Sequence, residues 1–241
     1  MSKKTKILTY ENKDEKTKRL EMYKLLQECP IPQEQVLSNL GLFLNSKNLS
    51  RILFMNFIYQ KQIDVHGTIM EFGTRWGQNV GLFASLRGIY EPFNRHKKLI
   101  AFDTFEGFPE ITSEDGDSPM MIEGELALTE NYHKYLEKIV QNIENDNPLS
   151  HIKKFELVKG DATKTILAYF DFDLYKPTKE CLEAIKPRLT KGSIVAFDEL
   201  NDPDSPGETL ALMEVFGLEN ISLKRFPYSS RVSYFIVGKE E

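Results

Sequence analysis

Only two cysteines occur in the 241-residue sequence, Cys29 and Cys181, and they lie far apart. That excludes a disulfide scaffold and a cysteine zinc site, and it fits a reducing, cytoplasmic setting. Long apolar runs are also missing. The strongest, Ile52 to Tyr59, is far too short to span a bilayer and is interrupted by Asn56, so no membrane insertion is expected. The opening MSKKTKILTYENKDEKTKRL is charged and lacks the apolar segment of a signal peptide. Basic charge is in deficit: the net charge is -5 and there is no basic tail, so nucleic acid is not an expected partner. There is no GxGxxG fingerprint of the dinucleotide type, no internal repeat and no low-complexity tract.

What is present is a chain whose hydrophobic content, 41%, suffices for a substantial core. Residues 1–64 read as helical. In EKTKRLEMYKLLQEC the positions Leu20, Tyr23, Leu25 and Leu26 form a helical stripe that stops before Pro30 and Pro32, and two similar stretches follow. This region is expected to form a packed helical cap, or else a lid or dimerisation surface over a substrate site. From residue 65 to 241 the pattern changes. Short apolar runs (TIMEF, KLIAFDTF, FELVKG, AYFDFD, SIVAFDEL) alternate with helical stretches. The chain then ends in ISLKRF, a turn at PYSS, and RVSYFIVG. Together these predict an α/β fold, a Rossmann-like doubly wound sheet that is mostly parallel and finishes on an antiparallel C-terminal strand. One connection is too short for this scheme. Between FELVKG and AYFDFD only DATKTIL intervenes, whereas parallel strands need a crossover of a dozen or so residues. The expectation is that residues are missing between Ile166 and Leu167.

Ligands of such sheets bind at the carboxyl ends of the strands. The first strand ends in MEFGTRWGQN, where Gly73 and Gly77 sit in a tight turn that opens a helix. Glu71 beside them repels a pyrophosphate and attracts an ammonium or a sulfonium. The second strand ends in LIAFDTFEGFP. Asp103 is placed to accept both hydroxyls of a ribose, and Phe105 to flank an adenine. Asp161, after the third strand, is either an acceptor for an adenine amino group or a helix N-cap. In LAYFDFDLYKPT, Asp171 and Asp173 are two residues apart, which on a strand sets them on one face. Asp198 and Glu199 end the next strand. Carboxylates so close need a counter-charge. A hard divalent ion, Mg²⁺ or Ca²⁺, supplies it, unless some of them cap helices or pair with Lys176, Lys179 or Arg188.

The segments MEFGTRWGQN, AFDTFEGFP, FDFDLYKPTKECLEAIKPRL and GSIVAFDEL together resemble the macrocin O-methyltransferase family (the TylF/MycF type), over roughly Gly67 to Gly217. The resemblance implies a class I fold and S-adenosylmethionine (SAM) as methyl donor, with S-adenosylhomocysteine as product. It also implies metal-assisted methylation of a sugar hydroxyl, with Mg²⁺, or Ca²⁺ or Mn²⁺ in its place. It assigns the metal to Asp171, Asp198 and Glu199, where the family's usual second acid is Asp, and the general base to Asp173. The family's D-G-D is D-F-D here. The expected substrate is a small-molecule sugar, carried on a nucleotide or destined for a natural product or a surface polysaccharide. The expected oligomer is a homodimer. His133 is a second candidate base, and the long acidic loop EGFPEITSEDGDSPMMIEGE a second candidate lid. The competing readings are an NAD(P)-dependent oxidoreductase, which the missing GxGxxG disfavours, an N-methyltransferase, and a non-catalytic binding module.

Overall fold

The structure is a computed structural model that describes residues 12–159 and 167–238. Helix α1 (Lys13–Gln27) begins at Asn12. The Asn12 side chain accepts the Glu15 amide at 3.0 Å while the Glu15 carboxylate takes the Asn12 amide at 2.8 Å. This reciprocal cap starts the helix where the sequence pattern does. A short helix α2 (Gln33–Val36) and a 3₁₀ turn (Leu37–Phe43) lead to α3 (Ser46–Lys61), capped by Asn45. The alternating region supplies β1 (Ile69–Phe72), α4 (Gln78–Tyr90), β2 (Leu99–Asp103), α5 (Tyr132–Asn145) and β3 (Phe155–Lys159). It continues with β4 (Leu167–Phe170), α6 (Tyr175–Ile185), β5 (Ile194–Phe197) and α7 (Gly207–Phe216), then β6 (Lys224–Arg225) and β7 (Ser233–Ile236).

The strands form one sheet in the order β3-β2-β1-β4-β5-β7-β6. Five are parallel; β7 runs antiparallel to both β5 and β6, as the C-terminal hairpin pattern predicts. Every residue of β1, β4 and β5 is buried. That explains why these strands read as unbroken apolar runs: a parallel sheet is covered on both faces. Alternate residues serve two cores. Ile69, Tyr169 and Ile194 pack with residues of α3, α4 and α5, while Met70, Phe170 and Phe197 pack with those of α6 and α7. On the second face Phe72, Phe170 and Phe197 stack in a row across the strands, with centroids 4.6 and 5.2 Å apart.

Within the expected N-terminal cap, α3 is part of the main core: Phe54, Met55, Ile58 and Tyr59 are fully buried beneath it. By contrast α1 has no buried residue. The expected deletion between Ile166 and Leu167, and Asp161 with it, fall in 160–166, outside the described residues.

Candidate active site

The strand order reverses between β1 and β4, the place where an open α/β sheet leaves a crevice. There the structure has a cavity of about 890 Å³. Gly73, Gly77, Asp103, Asp171, Asp173, Asp198 and Glu199 all line this one cavity.

Gly73 and Gly77 both have left-handed backbone, with φ of 87° and 79°. At Gly73 the reason is close approach to the protein itself: a Cβ there would lie 1.9 Å from the carbonyl oxygen of Asp171. The turn after β1 is thus pressed against the chain leaving β4, whose Asp171 amide donates to Phe72 O at 2.8 Å. Asp103 accepts the amides of Arg75 (2.6 Å) and Phe105 (2.5 Å), so it ties the β1 and β2 turns together. Glu71 and Phe105 do not line the cavity. Glu71 is buried behind the β1 turn, and neither carboxylate oxygen has a hydrogen-bond partner. Burial pushes its pKa up to about 8. Phe105 is buried in the core, its ring centroid 6.0 Å from that of His133. His133 also lies outside the cavity lining.

One sequence expectation is corrected. Asp171 and Asp173 are not two positions on one strand face, because β4 ends at Phe170. Strand periodicity stops where the strand stops. Beyond it the Phe172 amide donates to Glu208 Oε1 of α7 at 2.8 Å, and Asp173 adopts left-handed backbone (φ 61°). The turn aims Asp173 independently of Asp171. Burial, with Asp198 near, pushes the Asp173 carboxyl up to about 6. Asp171 is driven well above the usual carboxylate range by burial and by Asp198, although Arg51 opposes this. Glu208, fully buried, is pushed up to about 8 by burial and by Asp173.

Arginines stand against these acids. Arg51, from α3, donates to Asp198 Oδ1 and stands 3.5 Å from Asp171 Oδ2. Tyr169 donates to the same Asp198 oxygen at 2.6 Å. Arg231, before β7, pairs with Glu199 and lies 3.8 Å from Asp202. Lys176 and Lys179 bond elsewhere, to Glu110 and Glu214. Among the described residues, no group of three or more His, Cys, Asp or Glu side chains is disposed to hold a metal ion. As arranged, the acidic residues do not fit one: guanidinium groups already hold Asp171, Asp198 and Glu199.

Sequence reasoning missed Arg51, Arg231 and Glu208. For Arg51 a signal existed. In LSRILFMNFIY it stands at i relative to Met55 at i+4 and Ile58 at i+7, the lone charge on an otherwise apolar helix face. Glu208 carries no comparable local mark, since a Glu in the first turn of a helix is ordinarily a solvated dipole partner.

A doubly wound sheet with an antiparallel end and a strand-end cavity at the order reversal is the architecture of the Rossmann-like methyltransferases. The solved structure of the calicheamicin methyltransferase CalS11 is similar to this chain with a TM-score of 0.92 and 38% identity, covering 99% of this chain and 98% of that one. A second structure of CalS11, described as a TDP-rhamnose 3'-O-methyltransferase of calicheamicin biosynthesis, gives 0.84 and 36%, covering 96% and 98%. The O-methyltransferase NovP shares the fold, at 0.59 and 20%, covering 78% and 79%. No protein-family model matches the sequence, and no curated protein matches it. The chain belongs to the macrocin O-methyltransferase (TylF/MycF-type) family of class I SAM-dependent methyltransferases. It is a SAM-dependent methyltransferase.

Proposed function

We propose that the chain transfers a methyl group from SAM to a hydroxyl of a small-molecule sugar. The observation that carries this is the single cavity joining Gly73, Gly77 and Asp103 to Asp173. Its volume of about 890 Å³ lies in the upper part of the range of small-molecule sites. The description of CalS11 as acting on TDP-rhamnose favours a sugar carried on a nucleoside diphosphate, and favours oxygen over nitrogen as the acceptor.

In this reading Gly73, Gly77 and Asp103 contact the cofactor. Glu71 and Phe105 support the wall from behind, and Asp161, outside the described residues, is the proposed acceptor for the adenine amino group. SAM held there would supply its methyl group to the sugar hydroxyl and leave as S-adenosylhomocysteine, the carbon–sulfur electron pair staying on sulfur. A hydroxyl is a poor nucleophile until its proton departs, and Asp173 accepts that proton. With a pKa of about 6 it is largely ionised at neutral pH yet basic enough for the task. Holding donor and acceptor in one cavity supplies much of the rest of the acceleration.

Divalent-metal assistance is the finer part of the expectation. Asp171, Asp198 and Glu199 offer hard oxygen donors, but binding an ion requires Arg51 and Arg231 to leave them. No step above is routed through a metal. The proposal also includes a cytoplasmic setting and a homodimer. The dimer is favoured by the exposed apolar side chains of the N-terminal region, such as Leu20, Tyr23, Leu25, Leu37 and Leu42. Within the boundaries 1–64 and 65–241, α1 to the 3₁₀ turn would then be the lid or dimer element. Among the described residues no helix is long and apolar enough to cross a membrane.

The test is a thermal melt with and without S-adenosylhomocysteine, NADH serving as control, followed by methyl transfer to a panel of nucleotide sugars. A ligand at about 100 times its dissociation constant stabilises by about 2.7 kcal/mol. A shift with the homologue alone and a methylated sugar support the reading; a shift with NADH alone overturns it.

A further inference from the structure

We propose that Arg75 is a donor-binding residue, its guanidinium receiving the α-carboxylate on the amino-acid arm of SAM. The inference deepens the methyltransferase reading and rests on it for the identity of the ligand. Its physical basis is a cation in the cavity wall that has no partner of its own. The basic side chains lining the cavity are Lys47, Arg51, Arg75 and Arg231. Arg51 is held by Asp198 and Asp171, and Arg231 by Glu199. Lys47 is exposed, in the first turn of α3. Arg75 is half-buried instead, and its Nε is shielded from solvent with no hydrogen-bond partner. A shielded donor left unpaired costs free energy, so one in a cavity wall points to a ligand that supplies the acceptor.

The β1 turn puts the side chain there. Arg75 stands between Gly73 and Gly77 and is itself left-handed, with φ of 46°. That backbone is disfavoured for a residue with a side chain, and residues so held cluster at ligand sites. Asp103 fixes it, since Asp103 Oδ2 accepts the Arg75 amide at 2.6 Å. The other oxygen of Asp103 takes the Phe105 amide at 2.5 Å. Each oxygen of the carboxylate tied to Arg75 thus has a backbone donor, and among the described residues no carboxylate forms an ion pair with the guanidinium. Its charge is felt across the crevice: at Asp173, where burial and Asp198 raise the pKa, Arg231 and Arg75 pull it back. Arg75 therefore connects Asp103, through its amide, with Asp173, through its charge.

In the methyltransferase reading that is the course of the donor, from its ribose at Asp103 to its methyl group at Asp173. SAM carries a sulfonium, which an unmatched guanidinium beside it would repel. The anion that the donor brings with it is the α-carboxylate, on the arm that leaves the same sulfur. A guanidinium meets a carboxylate with a planar fork of donors, and the pairing neutralises both charges inside the cavity. The diphosphate of a nucleotide sugar is the other anion of the reading. It belongs to the acceptor, on the far side of the hydroxyl that takes the methyl group. Recognition of the amino-acid arm would separate SAM and S-adenosylhomocysteine from adenosine thioethers that lack the carboxylate.

The experiment is calorimetric titration of the full chain, in wild type, Arg75→Gln and Arg75→Lys. The probes are S-adenosylhomocysteine, the aminopropyl thioether of adenosine (the same molecule without its carboxylate) and thymidine diphosphate. Wild type should bind S-adenosylhomocysteine roughly tenfold or more tighter than the aminopropyl thioether, the span of one charge-assisted hydrogen bond. Arg75→Gln should erase that preference by weakening S-adenosylhomocysteine alone. Arg75→Lys, which keeps the charge but not the fork, should retain part of it. An unchanged preference in Arg75→Gln overturns the proposal, as does equal weakening of both thioethers, which marks a damaged turn. A loss confined to thymidine diphosphate also overturns it and gives the guanidinium to the acceptor. Should Arg75→Gln fail to fold, Arg75→Lys carries the same comparison. Wild type that binds S-adenosylhomocysteine without regard to its carboxylate overturns the role of Arg75 alone. Wild type that binds neither thioether overturns the methyltransferase reading, and this proposal with it.

Discussion

Asp115 and Tyr175, far apart in sequence, are joined by a hydrogen bond of 2.5 Å from the Tyr175 amide to Asp115 Oδ1. The other oxygen of Asp115 accepts the amide and the hydroxyl of Thr112, at 2.7 and 2.9 Å, and the side chain is fully buried. Through this one carboxylate the long acidic loop after β2 is fastened to the start of α6, directly beyond Asp173. Gly207 completes the joint, since a Cβ there would lie 2.4 Å from the Tyr175 nitrogen. The loop offered by the sequence as a second lid is therefore tied to the wall of the site at its middle, and the N-terminal segment is left as the freer candidate.

Asp115→Ala should lower stability by about 2–4 kcal/mol, since it strips a buried, charge-assisted cap and leaves amide donors unpaired. Chemical denaturation measures this. Limited proteolysis should show cleavage in 106–125 appearing in the variant; an unchanged midpoint and digestion pattern would contradict the tether.

Gly73→Ala should cost about 2 kcal/mol or more, from left-handed strain combined with overpacking. The Cβ would press on the Asp171 carbonyl, so the damage should reach the acidic turn. S-adenosylhomocysteine affinity and denaturation midpoint should fall together. Retention of both would show that the β1 turn has slack which the geometry denies.

Asp173→Asn should lower kcat by about 10²–10⁴-fold, the range for loss of a general base, and leave S-adenosylhomocysteine binding in place. A variant of Asp173 with normal kcat would move the base elsewhere.

Stability of the ligand-free protein should depend on Glu71. Its folded pKa of about 8 lies above the ordinary value of 4.5, so between these the folded state binds more protons than the unfolded one. Stability from this group is fully present below about pH 4.5 and is lost as pH rises through about 8, by an amount of order a few kcal/mol. Glu208, also near 8, adds a loss of the same sign. Glu71→Gln should flatten the decline between pH 5 and 8 in a series of melts, whereas an unchanged slope would mean Glu71 is ionised in the fold.

Much of the fold was legible along the chain because the periods that encode it are local. Alternating apolar runs and helical stripes announced the parallel strands and the C-terminal hairpin, and turn residues after β1, β2, β4 and β5 marked the edge of the cavity. The acids at the strand ends were legible, whereas the arginines beside them and the pairings were not. Asp171 and Asp173 were expected on a common strand face; the strand ends one residue before them, held by Phe72 and Glu208 from other elements.

By itself the sequence determined the doubly wound class, the cluster of acids at two strand ends and the resemblance to a methyltransferase family, since each depends on residue order within short windows. Tertiary structure alone decided what neutralises those acids. Arg51 stands 147 residues before Asp198, and Arg231 reaches Glu199 from the final hairpin. Electrostatic partnership depends on distances of a few ångströms in space, and a chain that folds back on itself brings together charges whose separation in sequence carries no mark of it.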